Sequence, residues 1–140
     1  MDILAVDGDA VRLEKTAALV QSVFPSAAVI AQDDALMAGK YAYSSPVDIL
    51  FAALDMKRMD GLQMAGFVRR RYPDVWVFLT SCPAQRGIEL TNECEADGFL
   101  VEPLNEAELY RAMTEAEQNR SNKTGRIERI APITHERNNA

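Results

Sequence analysis

Four polar side chains that could do chemistry follow apolar runs predicted to be buried strands: Asp7, Asp55, Thr80 and Glu102. Carboxylates are preferred ligands of Mg²⁺, and a carboxylate can also act as a nucleophile. The third apolar run, however, ends in Ala53, whose methyl group can do neither. The carboxyl ends of parallel strands meet at one edge of a sheet, where open α/β folds place their sites. The sequence therefore predicts an acidic pocket whose third strand supplies no nucleophile.

Apolar strands alternate with amphipathic helices along the chain, which predicts a parallel sheet with helices on both faces. Strands are predicted at residues 3–6, 27–31, 49–52, 75–80 and 98–101. Helices are predicted at 11–23, 34–43, 60–72, 106–118 and, more weakly, 83–94. Three helix starts carry capping signals: Asp9, Asp60 with Gln63, and Asn105 with Glu108. This alternation predicts an α/β three-layer sandwich.

The segments at the strand ends resemble the receiver domains of response regulators, the CheY-like superfamily, over about residues 2–117. The resemblance rests on Val6-Asp7-Gly8-Asp9, 53–61, Leu79-Thr80-Ser81 and 97–103. It implies a flavodoxin-like α/β three-layer sandwich, with a five-stranded parallel sheet in the order 2-1-3-4-5 and five helices. It also implies a receiver domain of a two-component phosphorelay at 1–118, with a basic C-terminal tail or linker at 119–140. The first helix and Phe24-Pro25 also resemble receivers of LytTR-type regulators.

The resemblance also assigns roles to the pocket residues. In such domains two acids after the first strand bind Mg²⁺, and an aspartate that ends the third strand accepts the phosphoryl group. A Thr or Ser after the fourth strand and a Lys before a cis-proline contact that group. This chain keeps Asp7 and Thr80 but has Gly8, Ala53 and Glu102 at the other positions. The resemblance therefore implies a degenerate receiver that is not an enzyme and has no cofactor, with Asp7 as a weak candidate for binding Mg²⁺.

Two alternatives concern the phosphorylation site and the longer protein. Asp55 could replace the missing phosphoacceptor, although in-line attack tolerates little displacement. The chain could also be the receiver fragment of a DNA-binding transcriptional regulator. An engineered change at Ala53 alone would leave positions 8 and 102 intact, so natural degeneracy is the better interpretation of Gly8 and Glu102.

A receiver without its phosphorylation chemistry is expected to act by phosphorylation-independent protein–protein interaction, with another signalling protein or with a second copy of itself. We expect the contact on the predicted fourth helix, fifth strand and fifth helix, or through the tail at 119–140. The switch and output residues would be Phe99, Pro103, Leu104 and Tyr110, joined by Ile88 and Leu109.

Composition restricts the kind of partner and the compartment. The 140 residues suit one domain. Residues 119–140 contain five basic and two acidic side chains, which give a charge of +3. Because the net charge of the chain is −6, the other 118 residues carry −9. An acidic body disfavours direct binding of nucleic acid.

No apolar run reaches the ~20 residues of a membrane span, and no leader-like start is visible. Cys82 and Cys94 lack metal-ligand spacing, which predicts reduced thiols and a cytoplasmic protein.

Overall fold

A single sheet of five parallel strands forms the middle layer of the protein. The computed structural model describes residues 1–81 and 96–124, with side chains through residue 121. The strands are β1 Asp2–Val6, β2 Ala28–Gln32, β3 Ile49–Ala53, β4 Trp76–Ser81 and β5 Gly98–Val101. Their order is β2-β1-β3-β4-β5. The predicted fold class and strand order are confirmed, and each strand lies within one residue of its predicted bounds.

Four helices lie in the described part of the chain: α1 Ala10–Val23, α2 Ala35–Ser44, α3 Gly61–Arg71 and α4 Glu106–Thr124. The predicted caps are confirmed. The Asp9 carboxylate accepts hydrogen bonds from two amides of the first turn of α1. Asp60 and Gln63 form a reciprocal capping box, and the Asn105 side chain accepts from the Glu108 N–H at 2.8 Å. None of these described helices is long and apolar enough to cross a membrane.

Parts of the prediction lie outside the described residues. These are the weaker helix at 83–94 with Ile88, both cysteines, and the tail from residue 125 onward. The helix α4 is therefore the one predicted as the fifth.

The last helix is longer than the sequence predicts. It ends at Thr124 instead of about Gln118, so the predicted linker is wrong over residues 119–124. The reason is an anchor that leaves no apolar pattern: Arg120 forms an ion pair with Asp97 at 2.7 Å, and its guanidinium lies 3.8 Å from the ring centroid of Trp76. The division of the chain into a domain and a tail at residue 118 stays a prediction.

Two apolar layers hold the sheet between the helices, because alternate strand residues face opposite sides. One layer joins Ile3, Ile49, Phe51, Phe78 and Leu100 to α1 and α4. The other joins Leu4, Leu50, Ala52, Val77 and Leu79 to α2 and α3. All five residues of β3 are buried. The central strand is thus fixed from both sides, and so is the position at which it ends.

Candidate functional site

The carboxyl ends of β1, β3 and β4 bring the predicted pocket residues together. The register pairs Val6 with Ala52 and Ala53 with Thr80, which puts Ala53 on the central one of these three strands. Ala53 is 4% exposed and Thr80 6%. The Thr80 carbonyl accepts a hydrogen bond from the Leu54 N–H at 2.8 Å. The structure therefore places a buried methyl group at the middle of the strand edge.

The loop after β3 folds back over Ala53 and carries Asp55 on its exposed side. The Gly61 N–H donates to the Leu54 carbonyl at 3.0 Å. A Cβ atom at Gly61 would lie 2.5 Å from the Ala53 carbonyl oxygen, so only glycine fits here without a shift of the backbone. Within this loop Arg58 adopts a left-handed backbone conformation, with φ 71°. Asp55 itself is exposed, in an environment unlike that of Ala53.

Asp7 is the buried acid of the pocket, and Arg12 from the first turn of α1 binds it through two atoms. The Arg12 Nε donates to Asp7 Oδ2 at 3.0 Å, and Nη2 donates to Oδ1 at 2.9 Å. The Asp9 N–H adds a third hydrogen bond to Oδ1 at 2.9 Å. The side-chain hydrogen bond to Asp7 raises the pKa of Arg12. Such a two-point, charge-assisted contact is among the stronger hydrogen-bonding arrangements in proteins.

Two further carboxylates approach the same guanidinium. Glu102 Oε1 lies 3.9 Å from Arg12 Nε, and Asp9 Oδ2 lies 3.7 Å from Nη1. Glu102 is placed by its N–H, which donates to the Ser81 carbonyl at 2.8 Å. The Glu102–Pro103 peptide is cis, as predicted. Arg12 thus joins the loop after β1 to the loop after β5, although these two longer contacts are partly exposed and individually weak.

The residues present fit a divalent metal poorly. Mg²⁺ needs oxygen ligands at about 2.0–2.1 Å in near-octahedral geometry. Both oxygens of Asp7 already accept hydrogen bonds from Arg12, and Gly8 and Ala53 have no ligand atoms in their side chains. Among the residues that the structure describes, no three metal-ligating side chains form a group that could hold an ion. The weak Mg²⁺ site at Asp7 stays a prediction, and these contacts argue against it.

The predicted switch residues surround β5 but do not share one face of the sheet. Phe99 is half-buried against the layer of α2 and α3. Leu104 and Tyr110 pack against the layer of α1 and α4, and Pro103 is exposed. Leu104 and Tyr110 therefore lie on the side of α1 and α4, and Phe99 lies on the other side of the edge strand. Leu109 is fully buried, so its predicted place on an exposed contact surface is wrong.

Side chains of α4 occupy backbone groups of the edge strand β5. Arg111 Nη2 donates to the Phe99 carbonyl at 2.8 Å, and the Val101 N–H donates to Glu108 Oε2 at 2.9 Å. Arg111 also pairs with Glu108 at 2.9 Å and with Glu115 at 2.8 Å. The side-chain hydrogen bond to Glu108 raises the pKa of Arg111. These two backbone groups of the edge strand are therefore already hydrogen-bonded within the chain.

Arg12 is a pocket residue that the sequence motifs did not indicate. One signal was present. Arg12 is the third residue of α1, where the positive end of the helix dipole disfavours a cation. An arginine there indicates a nearby acid, and Asp9 and Asp7 precede it by three and five residues in the sequence.

Comparison with known proteins identifies the fold but gives only a distant sequence relative. No model of a protein family matches the chain. Stress response regulator protein 1 of Candida dubliniensis is 25% identical over 105 residues, which cover 73% of this chain and 37% of that protein. The chain thus spans little more than a third of the length of this curated relative. The resemblance to receivers of LytTR-type regulators stays a prediction.

Several of the similar solved structures are receiver domains or response regulators. The signal receiver domain of an HD domain-containing protein from Pseudomonas fluorescens has a TM-score of 0.68 and 24% identity, covering 86% of this chain and 97% of that one. The receiver domain of a sensor histidine kinase from Pseudomonas aeruginosa, with a magnesium ion in its active-site cleft, has a TM-score of 0.66 and 21% identity; it covers 79% of this chain and 91% of that one. A chain from the complex of histidine kinase ThkA with response regulator protein TrrA has a TM-score of 0.67 and 21% identity, covering 82% and 97%. The protein has the fold of the CheY-like receiver domains of two-component response regulators.

Proposed function

We propose that this protein is a degenerate receiver that takes part in two-component signalling through phosphorylation-independent contacts with another protein. The observation that carries the proposal is the buried methyl group of Ala53 at the end of the central strand. Covalent phosphoryl transfer requires a nucleophile at the point of attack, and a methyl group offers none. The receiver fold supports the placement in two-component signalling.

The charges of the pocket support the same conclusion. A transferred phosphoryl group needs positive charge directed at its oxygens. The described pocket offers the carboxylate of Glu102 in the loop after β5, and the guanidinium of Arg12 is already bound to Asp7. Asp55, the alternative acceptor, is exposed on the loop beyond Ala53.

The contact surface is expected on α4 and β5. There Leu104 and Tyr110 are half-buried beside the exposed ion pair of Arg111 with Glu115. A mixed apolar and charged surface of this kind suits a protein partner. The structure of a histidine kinase together with a response regulator, similar to this chain, is a precedent for such a contact.

The first test is the intact mass of the protein after incubation with acetyl phosphate and Mg²⁺. We expect no phosphoryl adduct, and no shift of the amide resonances of Asp7, Thr80 and Glu102. The matched variant is Asp55→Asn. An adduct on the wild type that disappears in this variant would establish the alternative phosphoacceptor and refute the proposal.

The second test concerns a second copy of the chain as the partner. Sedimentation equilibrium of the wild type is compared with Tyr110→Arg on α4 and with the control Tyr43→Arg, an exposed tyrosine on α2. If copies associate through α4 and β5, only Tyr110→Arg lowers the dimer fraction. A dimer that both variants leave intact would place the contact elsewhere, and a monomeric wild type would leave a different protein as the partner.

A further inference from the structure

The guanidinium of Arg12 lies where the pocket concentrates its negative charge. Asp7 is 3% exposed, and a buried carboxylate must be paired to remain ionised. Its partner is Arg12, through the two hydrogen bonds at 3.0 and 2.9 Å. With the Asp9 N–H as the third donor, both oxygens of Asp7 are engaged. Among the residues that the structure describes, Arg12 is the basic side chain that forms an ion pair with Asp7. It therefore supplies the positive charge that this buried carboxylate needs.

The second element is the position of Arg12 between two loops. Asp7 and Asp9 follow β1, and Glu102 follows β5; all three carboxylates lie within 4 Å of the same guanidinium. An arginine side chain stays charged at every pH at which proteins fold. The pocket therefore contains a permanent positive charge that is covalently attached to α1.

We infer that Arg12 is a tethered cation that takes the place of a divalent metal ion in this pocket and excludes one from solution. A divalent ion would have to displace the guanidinium from Asp7 to obtain an oxygen ligand. Alternatively, it would have to sit within a few ångströms of a fixed positive charge. This inference rests on the proposed function, which identifies the pocket as a degenerate phosphorylation site. It deepens that function by naming the group that takes the place of the divalent metal ion.

The test restores the missing ligands and then removes the arginine. Gly8→Asp and Ala53→Asp together return two carboxylates to the pocket. A Cβ atom at Gly8 would meet no heavy atom within 4 Å, so a side chain fits there. In this doubly restored protein, the dissociation constant of Mn²⁺ is measured by calorimetry, with Arg12 present and with Arg12→Ala. Paramagnetic broadening of the amide resonances of Asp7, Thr80 and Glu102 locates the ion.

We expect removal of Arg12 to tighten Mn²⁺ binding by about 100-fold or more, because a unit charge about 5 Å from a divalent ion repels it strongly even at a dielectric constant of about 20. The matched control is Arg70→Ala in the same background. Arg70 is exposed on α3, and its removal changes the net charge equally, so we expect less than about a threefold effect from long-range screening. If Arg12→Ala fails to fold, Arg12→Gln removes the charge and keeps part of the aliphatic chain and a hydrogen-bonding amide.

Two results would overturn the inference: equal Mn²⁺ affinity with and without Arg12, or no binding at the three amides in either protein. Both would leave the proposed function standing, because that proposal fails only if the wild type takes up a phosphoryl group. Conversely, phosphorylation of Asp55 in the wild type would refute the proposed function without changing the comparison of the restored variants.

Discussion

Replacement of Asp97 by asparagine would remove a carboxylate that connects α3, β4 and α4 at the amino edge of the sheet. Arg120 contacts this carboxylate at 2.7 and 2.8 Å, and Arg69 contacts it at 2.9 Å. The Val77 N–H donates to the same group at 2.8 Å. The Asp97 side chain is only 11% exposed. We therefore expect Asp97→Asn to destabilise the protein far more than an ordinary surface change.

The magnitude follows from what asparagine keeps and what it loses. It keeps the size of the side chain and an oxygen for the Val77 N–H, but it loses the charge shared by Arg69 and Arg120. Removing one partner of a buried ion pair costs about 3–5 kcal/mol. Partial exposure of the two arginines reduces the expected loss of unfolding free energy to about 2–4 kcal/mol. The midpoint of thermal unfolding should fall by about 8–15 °C.

The assay is urea denaturation followed by the fluorescence of Trp76, the single tryptophan of the chain. Its ring lies under the Arg120 guanidinium, so it reports on this cluster directly. The midpoint should fall with little change in the slope of free energy against urea. The control Asp33→Asn, at an exposed position, should stay within about 0.5 kcal/mol.

A loss below about 1 kcal/mol would refute the reasoning. It would mean that the carbonyl groups of Pro73, Asp74 and Val75, to which the two arginines also donate, hold the guanidinium groups without help from the carboxylate. Adding Arg120→Gln to Asp97→Asn separates the cases. If the ion pair matters, the double variant loses less than the sum of the single losses.

Two further predictions concern the site itself. Gly61→Ala should lower the unfolding free energy by about 1–3 kcal/mol, because the added Cβ would lie 2.5 Å from the Ala53 carbonyl oxygen. The control is Gly66→Ala, whose Cβ would meet only the flexible Arg70 side chain. In the same urea series this control should be neutral or stabilising by up to about 1 kcal/mol. The hydrogen bond from the Arg12 backbone N–H, aided by the Arg12 charge, lowers the pKa of Asp9 below its ordinary 3.8. The charged Asp9 cap therefore stabilises the folded state above pH 3.8, and this stabilisation is lost as pH falls through the lowered pKa. Carbon-13 NMR titration of the carboxylate measures this directly, and a value at or above the ordinary one would contradict the cap as the source of the shift.

The fold was predictable because its signals are local. An apolar run and its flanking turn residues define each strand, and the Asp9, Asp60 and Asn105 caps each act within one helical turn. The strand order is instead what the resemblance to receiver domains implies, since right-handed crossovers alone allow more than one order. The end of β3 near Ala53 could be placed from its apolar run, whereas the cis peptide at Pro103 was expected only from the resemblance to receiver domains.

The two charged clusters were not predictable in this way. Asp97 lies 28 residues from Arg69 and 23 from Arg120. No local sequence pattern indicates that α3 and α4 both direct an arginine toward the residue that precedes β5. The extension of α4 to Thr124 was missed for the same reason. Arg12 is close to Asp7 in sequence, but its inward direction depends on how α1 packs on the sheet.

The replacements in the pocket are easier to understand together than one by one. Asp7 is paired with Arg12, which cannot leave the protein as a metal ion can. A carboxylate at position 53 would therefore add a second buried negative charge that no exchangeable cation neutralises. Glu102 in the loop after β5 lies 3.9 Å from the same guanidinium, where a lysine would repel it. Ala53 and Glu102 are thus both compatible with a permanent positive charge at Arg12. It follows that returning an aspartate to position 53 alone should not recover phosphoryl uptake, since the pocket would still lack an exchangeable metal ion.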